Sequence, residues 1–244
     1  MKENRYDDPV FFEKYARMAR SRKGLAGAGE WQTLKALLPD FAGRRVVDLG
    51  CGYGWHCAWA AEHGARSVLG VDVSARMLEV AQERNAAPCI EYRRCAMEDL
   101  ELPEGCADVV LSSLALHYVR DYEALMARIA KWLAPGGVLV FSVEHPVFTA
   151  QGPQDWVYRE DGSIAHFPVD DYFIEGPRDA VFLGEHVVKY HRTLTTCLAA
   201  VTRAGLVLRE VREPQPPEEM MSMEGMRDEL RRPMMLIVRA EKPL

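Results

Sequence analysis

The six cysteines of this 244-residue chain never stand as a C-x-x-C pair, and several lie inside apolar runs. That suits reduced thiols in a cytoplasmic protein better than a disulfide frame or a zinc site. No stretch approaches the roughly 18 apolar residues a membrane span requires. The opening Met-Lys-Glu-Asn-Arg-Tyr-Asp-Asp-Pro lacks the apolar core of a signal peptide. There is no excess of positive charge either: 30 basic residues face 36 acidic ones, a net charge of -6 and no electrostatic footprint for nucleic acid. No G-x-x-x-x-G-K-[S/T] element is present, which removes the nucleotide-hydrolase reading. No His/Asp/Glu group has metal-ligand spacing, so metal-independent chemistry is expected. Internal repeats are absent. The expectation is a cytoplasmic monomer or homodimer with neither a membrane nor a nucleic-acid partner.

What is present is a glycine turn. Val46-Val-Asp-Leu-Gly-Cys-Gly-Tyr-Gly54 reads as a buried strand running into a turn with glycine at positions 50, 52 and 54. Glycine there admits positive φ and lets a ligand approach atoms that a Cβ would cover. A strand, a bare turn and a helix together put a ligand beside backbone N–H groups at the end of a sheet. A dinucleotide turn would need G-x-G-x-x-G, but Trp55 stands where the third glycine belongs. The pattern D-x-G-x-G-x-G, with no phosphate to neutralise, suits a ligand bearing an amino-acid moiety and a ribose. Asp72 closes the next strand about 20 residues on, where an acid grips ribose hydroxyls.

Strand-like and helix-like stretches alternate along most of the chain, the mark of a parallel sheet covered by helices. Strands are expected at 45–49, 67–72, 90–95, 108–112 and 138–144, with helices between them. Ser74 and Asp121 would cap two of these helices, and Gly64 and Pro135-Gly136-Gly137 would stop two. Upstream, Phe11, Phe12, Tyr15 and Met18 form one apolar stripe and Trp31, Leu34 and Leu37 another. The basic, glycine-rich joint from Arg20 to Gly29 between them reads as a flap, so residues 1–40 form an N-terminal helical cap. Residues 145–190 read as a small antiparallel, lid-like insertion with a tight turn at Asp161-Gly162 and a short strand at 187–190. A helix over 193–204 and a final strand pair, 206–211 and 234–239, complete a single domain over 1–244.

These residues closely resemble the class I S-adenosylmethionine-dependent methyltransferases. Asp48-Leu-Gly-Cys-Gly-Tyr-Gly54 resembles the family's first motif, and Gly70-Val-Asp-Val-Ser74 the acidic end of its second strand. Cys95-Ala-Met-Glu-Asp-Leu100 is similar to its adenine-side segment. Ala107-Asp-Val-Val-Leu-Ser-Ser-Leu-Ala-Leu-His117 and Leu133-Ala-Pro-Gly-Gly-Val-Leu-Val-Phe141 resemble its fourth and fifth strands. Glu144-His-Pro146, His191-Arg-Thr193 and Arg232-Pro-Met234 point to a bacterial, small-molecule-type subgroup. The resemblance implies an α/β, Rossmann-like sheet of seven strands in order 3-2-1-4-5-7-6, the seventh antiparallel, with helices on both faces. It implies S-adenosylmethionine as cofactor, with Asp48, Gly50, Cys51 and Gly52 in the cofactor turn and Asp72 on the ribose. Val73 and Met77 would flank the adenine, Ala96 and Met97 would border it, and Ser112 to Leu114 would reach the sulfonium. Cys95 stands where the family often has an acid for the adenine amino group. Glu98, Asp99 or a backbone carbonyl takes that role, or no acid does.

The implied reaction moves a methyl group to an oxygen or nitrogen of a small-molecule acceptor by in-line displacement. Its main demands are alignment and exclusion of water. A base is required only where the acceptor nucleophile still carries its proton, as a hydroxyl does. Candidate bases lie past the fourth and fifth strands. His117 either serves as one or bonds to a backbone carbonyl and packs beneath the cofactor. Glu144 and His145 point to opposite faces, and His145, which titrates near neutrality, is the one expected in the pocket. His191 would cap the next helix or pair with the insertion. His56 and His63 read as surface or packing residues. Tyr158, Phe167, Tyr172, Phe173 and Phe182 would pack the insertion or form an aromatic lid. Two other readings stand beside this one: a methyltransferase acting on RNA or protein, and a binding protein that retains the cofactor fold without catalysis.

Overall fold

The structure, a computed structural model, describes residues 4–244. Asp8 accepts from the amides of Val10 and Phe11 and so opens helix α1 (Pro9–Ala16). Helices α2 (Ala19–Lys23) and α3 (Trp31–Leu37) follow before the first strand. Then β1 (Arg45–Leu49), α4 (Trp55–Glu62), β2 (Ser67–Asp72), α5 (Ala75–Arg84), β3 (Ile90–Arg94), β4 (Ala107–Ser113), α6 (Tyr122–Trp132) and β5 (Leu133–Glu144) alternate. Ser74 Oγ accepts from the Met77 amide at 3.1 Å and an Asp121 carboxylate oxygen from the Ala124 amide at 3.1 Å, the two caps anticipated. After α7 (Pro146–Thr149) come two hairpins, β6 (Val157–Tyr158) with β7 (Ile164–His166) and β8 (Gly176–Phe182) with β9 (Glu185–His191). Helix α8 (Leu194–Arg203), β10 (Val207–Arg212) and β11 (Met235–Glu241) close the chain.

Seven strands pair in the order β3-β2-β1-β4-β5-β11-β10, with β11 antiparallel to β5 and β10. This is the expected 3-2-1-4-5-7-6 sheet. Strand periodicity divides the core in two. Val47, Leu49, Val110, Leu139, Phe141, Val143, Leu236 and Val238 face α6 and α8, while Val46, Val109, Leu111, Val138, Val140 and Ile237 face α3 and α4. A parallel sheet buried on both faces therefore reads as continuous apolar runs, as these strands do.

Two details differ from the sequence reading. Pairing of β5 begins at Leu133, before Pro135-Gly136-Gly137, because Gly136 adopts φ +73° and donates to the Lys242 carbonyl at 3.0 Å. The glycines thus sit inside an irregular strand start instead of only ending a helix. The insertion holds two hairpins, and β8 went unread because Pro177 and Asp179 interrupt any apolar alternation; only Ala180 within it is buried.

Candidate functional site

At the carboxyl ends of β1 and β2 the glycine turn is tied to the sheet. The amides of Gly50 and Cys51 both donate to the Val71 carbonyl, at 2.8 and 3.0 Å. Gly50, Gly52 and Gly54 have φ of +71°, +53° and +76°. A Cβ on Gly50 would lie 2.4 Å from Ala115 Cβ, and one on Gly54 would lie 2.2 Å from the Tyr92 hydroxyl. Nothing lies within 4 Å of the corresponding point on Gly52, which faces a cavity. The Asp72 carboxylate accepts from the Gly52 amide at 2.9 Å and, through its other oxygen, from the Ser74 amide at 2.8 Å. Burial raises the Asp72 pKa above the ordinary carboxylate value, against the lowering effect of those amides.

The cavity, about 300 Å³, runs from this turn across the ends of β4 and β5. One wall is made by Asp72, Val73, Met77, Ala96 and Met97. The N-terminal segment supplies another, with Tyr6, Tyr15, Met18, Arg20 and Glu30. Asp7 accepts from Ser74 Oγ at 2.6 Å and from the Arg76 amide at 3.2 Å, fastening this segment to the start of α5. Tyr6 stands edge-on to Phe11 and Tyr15 and lies 3.3 Å from the Tyr118 hydroxyl. Arg20 is ion-paired with Glu30, whose second oxygen is buried and has no hydrogen-bond partner among the described residues.

The far end is built by the β4 and β5 termini. Leu114 takes φ +52°, and its amide donates to the Ser142 carbonyl at 2.9 Å. A side chain held in left-handed backbone at a cavity wall is strain of the kind found at functional sites. The turn at Leu116–Tyr118 carries His117, whose Nδ1 accepts from the Glu144 amide at 3.4 Å. Burial drives the His117 pKa down to about 4, so the imidazole is neutral at physiological pH. The Glu144 carboxylate is bridged by Lys189 Nζ at 2.6 Å and Gln154 Nε2 at 2.7 Å. Burial works to raise the Glu144 pKa, but His117, Lys189 and these hydrogen bonds outweigh it and hold the group below the usual carboxylate range.

A methyltransferase-domain family model matches residues 47–141. A candidate S-adenosylmethionine-dependent methyltransferase of Listeria monocytogenes superposes with a TM-score of 0.86 at 48% identity, covering 91% of this chain and all of that one. An S-adenosylmethionine-dependent methyltransferase of Mesorhizobium loti superposes at 0.83 with 43% identity, covering 90% and 100%. An uncharacterized protein of Haemophilus influenzae is 31% identical over 97% of this chain and 96% of its own length. The chain belongs to the S-adenosylmethionine-dependent methyltransferases.

Within this methyltransferase, Gly50, Gly52, Asp72, Val73, Met77, Ala96, Met97 and Leu114 line the cavity. Asp48, Cys51 and Ser112 do not. Asp48 accepts from Cys57 Sγ at 3.4 Å behind the turn, where burial lifts its pKa to about 7. Cys51 is buried, and Ser112 Oγ donates to the Leu49 carbonyl at 2.8 Å. Of the stretch Ser112 to Leu114 on the end of β4, Ser113 and Leu114 line the cavity and Ser112 does not. Of the acids considered for the adenine side, Glu98 lines the cavity and Asp99 does not.

At the far end His117 lines the cavity, and its ring meets a backbone amide, not a carbonyl. The choice between Glu144 and His145 is reversed. Glu144 faces the cavity, while His145 Nδ1 accepts from the Val147 amide at 3.0 Å and Nε2 lies 2.9 Å from Glu213. Neighbours at the end of β5 do point to opposite faces, and strand register, not titration range, decides which of them meets the cavity. His191 bridges Thr149 Oγ1 and the Tyr172 carbonyl, tying the insertion to α7. Of the insertion's aromatics only Phe182 lines the cavity; Phe173 is 88% exposed. Tyr6 and Met235 line it with no distinguishing sequence signal, and Met234, the end of the Arg232-Pro-Met234 motif, lines it beside them. Trp55, which displaced a dinucleotide glycine, packs against Gly24 of the N-terminal segment.

Proposed function

We propose that this methyltransferase acts on an oxygen or nitrogen of a small-molecule acceptor. The observation that carries the reading is the roof over the far end of the cavity. Tyr6, Tyr118 and Phe182 come from three separate elements, and Phe11 packs α1 onto the β8–β9 hairpin beside them. A half-open pocket of about 300 Å³, lined mainly by apolar side chains, suits a compact ligand better than a polymer strand.

The residues present fit the cofactor. Gly52 leaves open space where a side chain would stand, and Asp72 offers a carboxylate for ribose hydroxyls. Val73 and Met77 would flank the adenine, with Ala96 and Met97 at its border and Glu98 the acid nearest that role. Arg20, the one guanidinium on the wall, suits the amino-acid carboxylate. Bound here, S-adenosylmethionine supplies an electrophilic methyl carbon on a sulfonium. Leu114 and the roof aromatics would align the acceptor and exclude water. His117, neutral and hydrogen-bonded at Nδ1, fixes the end of β5 and is a weak base at neutral pH. The 1–40 segment and the 145–190 insertion would act as cap and lid.

Incubation with methyl-labelled S-adenosylmethionine and either a small-molecule extract or RNA and protein fractions tests the reading. Label is expected in the small-molecule fraction, and label confined to RNA or protein overturns the proposal.

A further inference from the structure

The charges on the cavity wall are lopsided. Glu30, Asp72, Glu98 and Glu144 face it with Arg20 as the one lysine or arginine, and Arg20 stands beside Glu30, where the cofactor's carboxylate is placed. At the acceptor end the only charged side chain on the wall is Glu144. Lys189, which neutralises part of that charge, is 2% exposed and stands behind the wall, with its ammonium 5.3 Å from the Phe182 ring centroid and 2.9 Å from Gln154 Oε1. An ionised carboxylate has about four lone-pair sites, and Lys189 and Gln154 occupy one on each oxygen. The remaining ones are free to accept from a ligand.

We infer that the acceptor is an amine whose nitrogen faces the Glu144 carboxylate, and that the cavity rejects acceptors bearing a carboxylate. This rests on the methyl-transfer reading above. The bound ammonium first gives a proton to solvent, and the freed nitrogen lone pair forms the new N–C bond as the C–S bond breaks and sulfur keeps the electron pair. Positive charge passes from sulfur to nitrogen, so carboxylate oxygens beside the nitrogen stabilise the transition state more than the bound neutral amine. The methylated ammonium then gives its proton to solvent. A hydroxyl acceptor needs its proton removed, and neither side chain at this end suits that task. His117 is neutral with a pKa near 4, and Glu144 is held below the usual carboxylate range. The rest of this end, Tyr6, Tyr118, Val119, Met234 and Met235, takes an apolar body, and its aromatic rings also favour a cation.

The test is calorimetric titration of the protein saturated with S-adenosylhomocysteine, using benzylamine, benzyl alcohol and benzoate at pH 7.5. Benzylamine is expected to bind at least tenfold more tightly than either analogue. Glu144→Gln alone strands the buried Lys189 charge and destabilises the fold, so Glu144→Gln/Lys189→Met, which removes both members of the pair, is the working variant. It is expected to keep S-adenosylhomocysteine binding and to lose the preference for the amine. Benzoate or the alcohol binding as well as benzylamine, no benzylamine binding up to its solubility, or a preference that survives in the double variant overturns the inference. Failure of S-adenosylhomocysteine to bind the wild type strikes instead at the cofactor site on which it rests.

Discussion

At Gly50 both reasons for glycine coincide: φ is +71° and a Cβ would stand 2.4 Å from Ala115 Cβ. Gly50→Ala therefore costs roughly 2–4 kcal/mol of stability from left-handed strain plus overpacking. A lowered urea midpoint is expected, and an unchanged one would contradict the geometry. His117 makes a pH prediction. Its folded pKa is depressed to about 4 from 6.5, so between those values the unfolded chain binds a proton that the folded one does not. Stability is then lost as pH falls from about 6.5 towards 4, by on the order of 3 kcal/mol across the window. Thermal melts of His117→Gln should show a shallower loss between pH 7 and 5 than the wild type, and parallel curves would sink the assignment. Residues of the glycine turn were legible because their identity is dictated by backbone geometry. Glu144 was not, because which of two neighbours faces a cavity depends on strand register in the assembled sheet.

Among the elements, α1 and the β8–β9 hairpin meet through a small cluster of their own, Phe11, Ala180 and Val187, with Lys14 and Glu185 2.6 Å apart beside it. Phe11 is fully buried. Phe11→Ala removes about 3 kcal/mol of packing, and the loss falls on this junction, since none of its members belongs to the two clusters that flank the sheet. Amide hydrogen exchange in α1 should accelerate at least tenfold while the β4 and β5 amides keep their protection. Uniform acceleration, or none, would mean that the cover is not a separable unit. The central strands were readable because burial on both faces leaves continuous apolar runs; β8, with one buried residue, carries no such signal. The stripe holding Phe11 was visible in the sequence, but its partner was not. The hairpin it packs on lies about 170 residues away, and no local periodicity encodes a contact of that range.

For the molecule as a whole, a seven-stranded sheet brings the β1 turn, the β2 aspartate and the β4 and β5 termini to one edge, where ligands sit in folds of this kind. The N-terminal segment and the insertion close that edge into a cavity whose wall carries four carboxylates and one guanidinium. That field suits a cationic donor, and the acidic balance of the chain runs the same way. The account depends most on Asp72 joining the glycine turn to the ligand. Calorimetric titration with S-adenosylmethionine tests this directly. The wild type should bind one equivalent, and Asp72→Ala should bind at least about tenfold more weakly, the loss expected for hydrogen bonds to a charged group. Equal affinity in the two proteins, or no binding by the wild type, would contradict it.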